Sequence, residues 1–167
     1  MTQPSLFVVT RRAVFSDCGT YRYALWREWA QNPVRRCLFV MLNPSTADSE
    51  QDDPTIRRCV AFAKAWGADA LDVANLYAFR ATKPKDMKAA SDPVGPDNDA
   101  WIERRVRRAG QVVLAWGQNA EPQRAANVVR SIRALNVPMY CLGTTDAGEP
   151  RHPLFIPADT ELQEYRR

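Results

Sequence analysis

The sequence predicts an α/β fold: a three-layer sandwich with a mainly parallel central sheet and an N-terminal antiparallel strand pair. Two observations support this prediction. After residue 36, short apolar runs alternate with segments of helical apolar spacing, an order that favours parallel strands joined by right-handed crossovers. Before it, two extended segments follow one another without a helix between them. The length of 167 residues suits one domain spanning 1–167.

The N-terminal pair is predicted over 6–15 and 21–29, which are rich in β-branched and aromatic residues. Asp17, Cys18 and Gly19 supply the turn between these segments. The run 37–42 is short and continuously apolar, which is typical of a strand covered on both faces. It is the first strand of the predicted parallel sheet.

A helix is predicted after Asp53, a capping residue, with Pro54 at its first position and Gly67 just past its end. The remaining predicted elements are a strand at 70–74, a long polar loop containing Pro84, Pro93, Gly95 and Pro96, a helix from Asp97 or Asn98 to about Ala109 ended by Gly110, a strand at 112–116, a helix at 121–135 and a strand at 138–142.

The composition is that of an ordinary globular protein, with 46% hydrophobic and 25% charged residues, which excludes disordered and fibrous classes. No apolar run approaches the roughly 18 residues of a membrane span, and the N-terminus lacks the pattern of a signal peptide. We therefore expect a cytoplasmic protein without membrane contact. The four cysteines have no metal-site spacing, so we expect reduced thiols and neither a metal nor another cofactor.

The basic residues are unusual because 19 are arginine and only 4 are lysine, with a net charge of +4. Arginine binds phosphate through its planar fork and stacks on nucleobases. A basic surface would favour DNA, single- or double-stranded, through counterion release. A genome rich in arginine codons would produce the same excess, so charge alone leaves the partner open. We expect a monomer.

Polar residues follow each predicted parallel strand, at the edge where open α/β sheets bind ligands. They are Asn43-Pro44-Ser45, Asn75, Gly117-Gln118 and the loop that holds His152, the chain's one histidine. We therefore expect these side chains to meet at one edge of the sheet.

These residue types allow a specific chemistry. The imidazole of His152 can stabilise a developing anion, although a lone histidine can equally be structural. The carboxamide of Asn75 donates and accepts at once, which matches a nucleobase edge, but asparagine after a strand is also a common turn residue. Asn43 has the same ambiguity: its amide can position a water but cannot act as a base near neutral pH.

An acidic segment, residues 48–53, offers the oxygen ligands that Mg²⁺ prefers. The alternative is that Asp53 caps the helix and the other carboxylates are solvated. We retain Asp48 as a candidate catalytic carboxylate. The motifs of ATPases, dinucleotide oxidoreductases, zinc proteases and α/β-hydrolases are absent from the sequence.

Two resemblances arise at these residues. Nearly the whole chain resembles an uncharacterised bacterial and phage family that carries only a domain-of-unknown-function label, through YRYALWREW, VMLNPSTADSEQDDPTIRRC, LDVANLYAFRATKP, VLAWG and RHPLFIP. The order of the strand-end motifs also resembles, more distantly, the uracil-DNA glycosylase superfamily. The matching segments are Met41-Leu42-Asn43-Pro44, Ala74-Asn75-Leu76, Leu114-Ala115-Trp116-Gly117 and His152-Pro153-Leu154.

The second resemblance implies a uracil-DNA-glycosylase-like fold and a role for each matched residue. Asn43 would hold the attacking water, Asn75 would read the base, and His152 would stabilise the departing base anion. Leu154 would enter the minor groove as a wedge. The further candidates are Pro44, Ser45, Gly117 and Tyr77 for substrate binding and Arg151 and Arg80 for nucleic-acid binding. This sequence departs from the superfamily pattern at Met41, where glycine is usual, in lacking a tyrosine after Asn43-Pro44, and at Leu154, where serine is usual.

The sequence thus favours a base-excision glycosylase that hydrolyses the N-glycosidic bond of a damaged or modified base in DNA or in a nucleotide. Two alternatives stay open. One is a non-catalytic nucleic-acid-binding module on the same fold. The other is a metal-assisted enzyme that acts on small nucleotides.

Overall fold

The structure is a computed structural model that describes residues 10–167. Its seven strands are β1 (Thr10–Phe15), β2 (Arg22–Glu28), β3 (Arg36–Met41), β4 (Ala70–Asn75), β5 (Gln111–Leu114), β6 (Met139–Cys141) and β7 (Gln163–Glu164). Its helices are α1 (Pro54–Ala65), α2 (Pro84–Lys88), α3 (Asn98–Arg108) and α4 (Pro122–Ala134), followed by a short 3-10 helix (Pro153–Phe155).

The strands form one mixed sheet in the order β1-β2-β4-β3-β5-β6-β7. The four central strands, β4, β3, β5 and β6, are parallel to one another. The outer pairings of β1 with β2, β2 with β4, and β6 with β7 are antiparallel. The prediction of an α/β chain with an N-terminal antiparallel pair is therefore confirmed, but parallel pairing is confined to the centre of the sheet.

Local sequence signals account for the elements that were predicted correctly. The carboxylate of Asp53 accepts a hydrogen bond from the backbone N–H of Ile56 at 2.9 Å, as a helix cap does. Gly67 ends α1 with a φ of +77°, which glycine adopts without strain. The predicted first strand is confirmed over residues 10–15, and its residues 6–9 lie outside the described part of the chain.

Three details of the prediction were wrong. The polar loop after β4 contains α2, where Pro84 takes the first helical position and Met87 is fully buried. Strand β7 has only two residues, both exposed, so it carries no hydrophobic pattern to detect. Finally, α3 ends in an extended Ala109, and Gly110 is not among the residues with positive φ.

Helices cover both faces of the sheet, because alternate side chains of the central strands point to opposite sides. In β3, Leu38 and Val40 pack in one core with α3 and α4. Phe39 and Met41 pack in a second core with α1. The chain is thus layered as helices, sheet and helix.

The described residues also bear on the predictions about membrane and thiols. No helix within residues 10–167 is long and apolar enough to cross a bilayer. All four cysteines are free; Cys18 is exposed and the other three are buried.

A buried ion network ties the sheet to α3. The carboxylate of Asp72, in the middle of β4 and fully buried, accepts two hydrogen bonds from Arg36 of β3 at 3.0 and 2.9 Å. Arg36 also donates to Glu28 of β2 at 2.8 Å. Arg105 of α3 approaches the Asp72 carboxylate to 4.0 Å. One carboxylate therefore neutralises cations from two other elements.

We expect Asp72→Asn to lower the free energy of unfolding by about 3–5 kcal/mol, because it removes the one fully buried counter-charge that Arg36 and Arg105 share. Urea unfolding followed by circular dichroism measures this loss. The matched control is Glu103→Gln, which removes an exposed ion pair with Arg107 and should change stability by less than about 1 kcal/mol. Equal losses in the two variants would contradict the assignment.

Candidate functional site

A cleft of about 610 Å³ opens at the carboxyl ends of the parallel strands. The connection after β3 leads to β4, which lies beside β3 towards β2 in the sheet. The connection after β5 leads to β6, which lies beside β5 in the opposite direction. Open α/β sheets bind ligands where the direction of connection reverses in this way. The loops after β3, β4, β5 and β6 form the walls of the cleft, together with the end of β4 and the first turn of α1.

The cleft brings together most of the residues that the sequence singled out. Those that line it are Asn43, Ser45, Asn75, Gly117, Arg151, His152 and Leu154. Those that do not line it are Pro44, Asp48, Tyr77 and Arg80.

Tyr77 and Arg80 have structural partners of their own. Tyr77 is 4% exposed, and its hydroxyl accepts a hydrogen bond from the backbone N–H of Glu121 at the start of α4. The guanidinium of Arg80 donates to the carbonyl of Gly19 at 3.1 Å and lies over the ring of Phe15 at 4.7 Å. Both side chains therefore have structural roles outside the cleft.

The acidic side chains before α1 shape their own loop. The carboxylate of Asp48 accepts hydrogen bonds from the backbone N–H groups of Gln51 and Glu50, both at 2.8 Å, and these bonds lower its pKa. The carboxylate of Asp52 pairs with Arg27 at 2.9 Å. Within residues 10–167, no three histidine, cysteine, aspartate or glutamate side chains are grouped as metal ligands would be.

Asn75 is the most unusual polar group in the cleft. It ends β4 and is only 2% exposed, and neither its amide nitrogen nor its amide oxygen has a hydrogen-bond partner within residues 10–167. Leaving a buried polar group unpaired costs about 1–3 kcal/mol. The backbone carbonyl of Asn75 accepts a hydrogen bond from Nδ2 of Asn98 at 2.9 Å. Because neither side-chain atom has a partner among the described residues, the carboxamide has both its donor and its acceptor available for a ligand.

Asn43 is held in one orientation by its amide nitrogen. Nδ2 donates to the carbonyls of Pro44 at 3.1 Å and Ala81 at 2.8 Å. The backbone N–H of Ala81 in turn donates to the carbonyl of Pro44, so buried Pro44 helps to fix the amide. With Nδ2 engaged, Oδ1 is the atom of Asn43 that can accept a hydrogen bond from a ligand or a water.

His152 is a neutral hydrogen-bond donor. Its Nδ1 accepts a hydrogen bond from the backbone N–H of Leu154 at 3.2 Å, which caps the 3-10 helix. Burial lowers the pKa of His152, and the Asp53 carboxylate opposes that shift. A neutral imidazole whose Nδ1 accepts carries its proton on Nε2. The ring thus offers the cleft an N–H that needs no protonation.

The loop after β5 and helix α1 both hold the loop that carries His152. Gly117, with a φ of +74°, donates its N–H to the carbonyl of Pro150 at 2.8 Å. A Cβ at Gly117 would stand 3.7 Å from the Cβ of His152, so the loop after β5 runs close beside the histidine. From α1, Arg58 donates to the carbonyl of Pro153 at 3.2 Å.

The outer rim combines apolar side chains with a cation. Phe155 is 81% and Leu154 39% exposed, among the few large exposed hydrophobic residues within 10–167. Arg151 is exposed and donates Nε to the carbonyl of Thr144 at 2.9 Å. The rim therefore offers apolar contact and positive charge beside the mouth of the cleft.

Sequence reasoning missed several residues of the cleft, foremost Arg22 at the start of β2. Its signal was a charge inside an otherwise aromatic and apolar strand, Tyr21–Trp26. Phe155 was missed because an apolar side chain in a proline-rich loop is ordinarily read as part of the core.

We expect the ring protons of His152 to titrate with a midpoint below the ordinary 6.5 in an NMR pH series, which is unambiguous because the chain has one histidine. Asp53→Asn keeps a capping side chain but removes the opposing charge, so it should lower the midpoint further. Because the pKa of His152 is lower in the folded state, the neutral ring favours folding at pH values above its unfolded-state pKa. This stabilisation is lost as the pH falls through the folded-state pKa. A midpoint at or above 6.5 would contradict a buried, neutral ring.

Comparison with known proteins identifies the family but no activity. A solved structure, the leucine-bound form of hetero-hexameric glutamate dehydrogenase from Thermus thermophilus, is similar at 13% identity over 80% of this chain and 32% of that chain, with a TM-score of 0.32. The chain thus spans about a third of that protein, and a similarity this low supports no argument. No curated protein matches the chain. A family model described as "Protein of unknown function (DUF1643)" matches residues 22–154, which run from Arg22 to Leu154 of the cleft. The chain belongs to this DUF1643 family.

Proposed function

We propose that the protein is a glycosylase with a uracil-DNA-glycosylase-like fold, which hydrolyses the N-glycosidic bond of a damaged or modified base in DNA or in a nucleotide. The observation that carries the proposal is the carboxamide of Asn75, buried at the cleft with its donor and its acceptor unpaired within residues 10–167. A nucleobase edge presents a complementary acceptor and donor side by side. Binding a base would relieve both unpaired atoms together.

His152 supports this proposal because its charge state suits the leaving group. A base leaves the sugar as an anion, and a donor aimed at the developing charge in a partly dry cleft lowers the barrier. The Nε2–H of a neutral imidazole is such a donor. Its orientation is held by the hydrogen bond from Leu154 to Nδ1.

Asn43 would act on the opposite side of the N-glycosidic bond, where the water attacks the sugar. Its Oδ1 accepts a hydrogen bond from the attacking water. The bond from C1′ to the base nitrogen breaks, and its electron pair leaves with the base. The water oxygen then bonds to C1′, and its proton passes to solvent. No strong base is needed, because the sugar cation forms before the water attacks.

The rim supports a nucleic-acid partner. Apolar side chains that enter a groove can unstack neighbouring bases and help to expose the target base. Leu154 and Phe155 have the exposure that this role requires, and Arg151 provides a cation beside them. The same rim would serve a non-catalytic binding module, which differs from a glycosylase only in forming no product.

A metal-assisted nucleotide enzyme has less support. The carboxylates of Asp48, Asp52 and Asp53 are engaged by backbone N–H groups or by Arg27. Asp53 is the one of these that lines the cleft. We therefore propose the glycosylase alone.

We expect the protein to release one base from labelled oligonucleotides that carry uracil, hydroxymethyluracil, hypoxanthine, xanthine or methylated bases, as single and double strands. Alkali cleavage reveals the abasic sites. His152→Ala should slow release about 100- to 1,000-fold, as the loss of one transition-state donor does. Asn75→Leu keeps the side-chain volume and removes both unpaired polar atoms, so it should abolish release without loss of stability.

The matched control is Asn127→Ala, which changes an exposed asparagine of α4 outside the cleft and should retain full activity. Unchanged release in both His152→Ala and Asn75→Leu would overturn the residue assignment. Salt-dependent DNA binding by folded protein without any product would overturn the glycosylase and favour the binding module.

A further inference from the structure

Arg22 is a buried cation without an anion. It is 2% exposed, forms no ion pair within residues 10–167, and makes one side-chain hydrogen bond, from Nη1 to the carbonyl of Ala47 at 2.9 Å. Its Nε is buried and has no partner among the described residues. The equally buried Arg27 and Arg36, in contrast, pair with carboxylates at 2.9 Å.

An unpaired guanidinium at this depth is unfavourable, since burial removes its hydration and no counter-charge replaces it. Burial lowers the pKa of Arg22 to about 10, and the Asp53 carboxylate is the largest opposing influence. Asp53 is itself engaged as the cap of α1. The arginine stays charged at neutral pH and is therefore a charge that the protein alone leaves uncompensated.

Arg22 lines the same cleft as Asn75 and His152. With Nη1 held by Ala47, the edge formed by Nε and Nη2 remains for a ligand. That edge presents two parallel N–H groups, the arrangement that binds two oxygens of a phosphate or carboxylate.

The surroundings of Arg22 favour a phosphate. The hydroxyl groups of Ser45 and Thr55 line the cleft and can donate to further oxygens. Thr55 lies in the first turn of α1, where the carboxylate of Asp53 already accepts from the N–H of Ile56 and Pro54 has no N–H. The contribution of Thr55 is therefore its hydroxyl. A tetrahedral anion with several oxygens can use these donors together with the guanidinium.

We infer that Arg22 binds a phosphate group of the substrate, so that the cleft takes a phosphorylated nucleoside rather than a free base or nucleoside. Assigning this phosphate to a nucleotide rests on the proposed function, whereas the anion site itself stands on Arg22. The phosphate is either the terminal group of a mononucleotide or a phosphodiester of a strand, and both offer the two non-bridging oxygens that the Nε–Nη2 edge can bind.

Calorimetric titration with inorganic phosphate tests the anion site without any turnover. We expect wild type to bind, and Arg22→Met to bind at least about 10- to 100-fold more weakly, because each lost charged hydrogen bond corresponds to a factor of about this size. The matched control is Arg105→Met. Arg105 is also largely buried with an unpaired Nε, but it does not line the cleft, so this variant should bind as wild type does.

Unfolding of the phosphate-free variants distinguishes a ligand site from a structural role. If Arg22 serves a ligand, Arg22→Met should be at least as stable as wild type, because it removes an uncompensated buried charge. Its stability should also no longer rise with phosphate. A destabilised Arg22→Met that still gains wild-type stability from phosphate would overturn the inference, as would wild type that binds no phosphate at millimolar concentration.

Three further titrants identify the source of the phosphate: deoxyuridine, deoxyuridine 5′-monophosphate and a trithymidylate with hydroxyl ends. Tighter binding of the monophosphate than of the nucleoside, lost in Arg22→Met, supports a terminal phosphate. Arg22-dependent binding of the trithymidylate supports a phosphodiester.

If Arg22-dependent phosphate binding is found but no base is released from any substrate, the proposed function fails and the anion site stands. If release occurs and Arg22→Met leaves all binding unchanged, the anion site fails and the proposed function stands.

Discussion

The cleft depends on one buried guanidinium, that of Arg27 in β2. It is 1% exposed and donates to the carboxylate of Asp52 at 2.9 Å and to the carbonyls of Asp48 and Arg12 at 2.6 and 3.3 Å. These bonds hold the loop after β3 against the sheet. Asp53, the residue that caps α1, follows this loop directly. The paired guanidinium of Arg27 therefore sets the position of α1 and of the cleft wall that α1 forms.

Within residues 10–167, single unpaired atoms also occur outside the cleft, at Arg80, Asn98 and Arg105. The contrast between the buried ion pairs and the cleft lies in how completely each group is left without a partner. Arg36 and Asp72 satisfy each other through two hydrogen bonds in the middle of the sheet. At the cleft, Arg22 and Asn75 are as deeply buried but have unpaired atoms among the described residues. The paired groups contribute to folding, whereas the unpaired groups reduce stability at the place where a ligand can satisfy them. Asn75, with both side-chain polar atoms unpaired, and Arg22, without a carboxylate partner in the described part of the chain, therefore support a binding site in addition to the shape of the cleft.

Much of the fold was predictable because its signals are local. A cap, a proline and a glycine delimit α1, and a short apolar run marks β3. The meeting of Asn43, Asn75 and His152 also followed from the sequence, because parallel strands end at a common edge. Tyr77 does not line the cleft, because packing sets its direction: its hydroxyl accepts a hydrogen bond from the backbone N–H of Glu121, just before α4. Arg22 was not predicted at all: a charge within a strand gives no sign of whether it faces solvent or a cleft.

The left-handed backbone of Gly117 has a consequence for how this protein can diverge. Any other residue at this position would be strained whatever space surrounds it, since L side chains rarely adopt a φ of +74°. The same residue donates its N–H to the carbonyl of Pro150, two residues before His152. A lineage that replaced the glycine would therefore strain the backbone that is hydrogen-bonded to the histidine loop, and a compensating change in that loop would relieve the strain. Gly117 and the histidine loop should vary together among relatives, and relatives that lack the glycine should form a separate group with a differently built cleft.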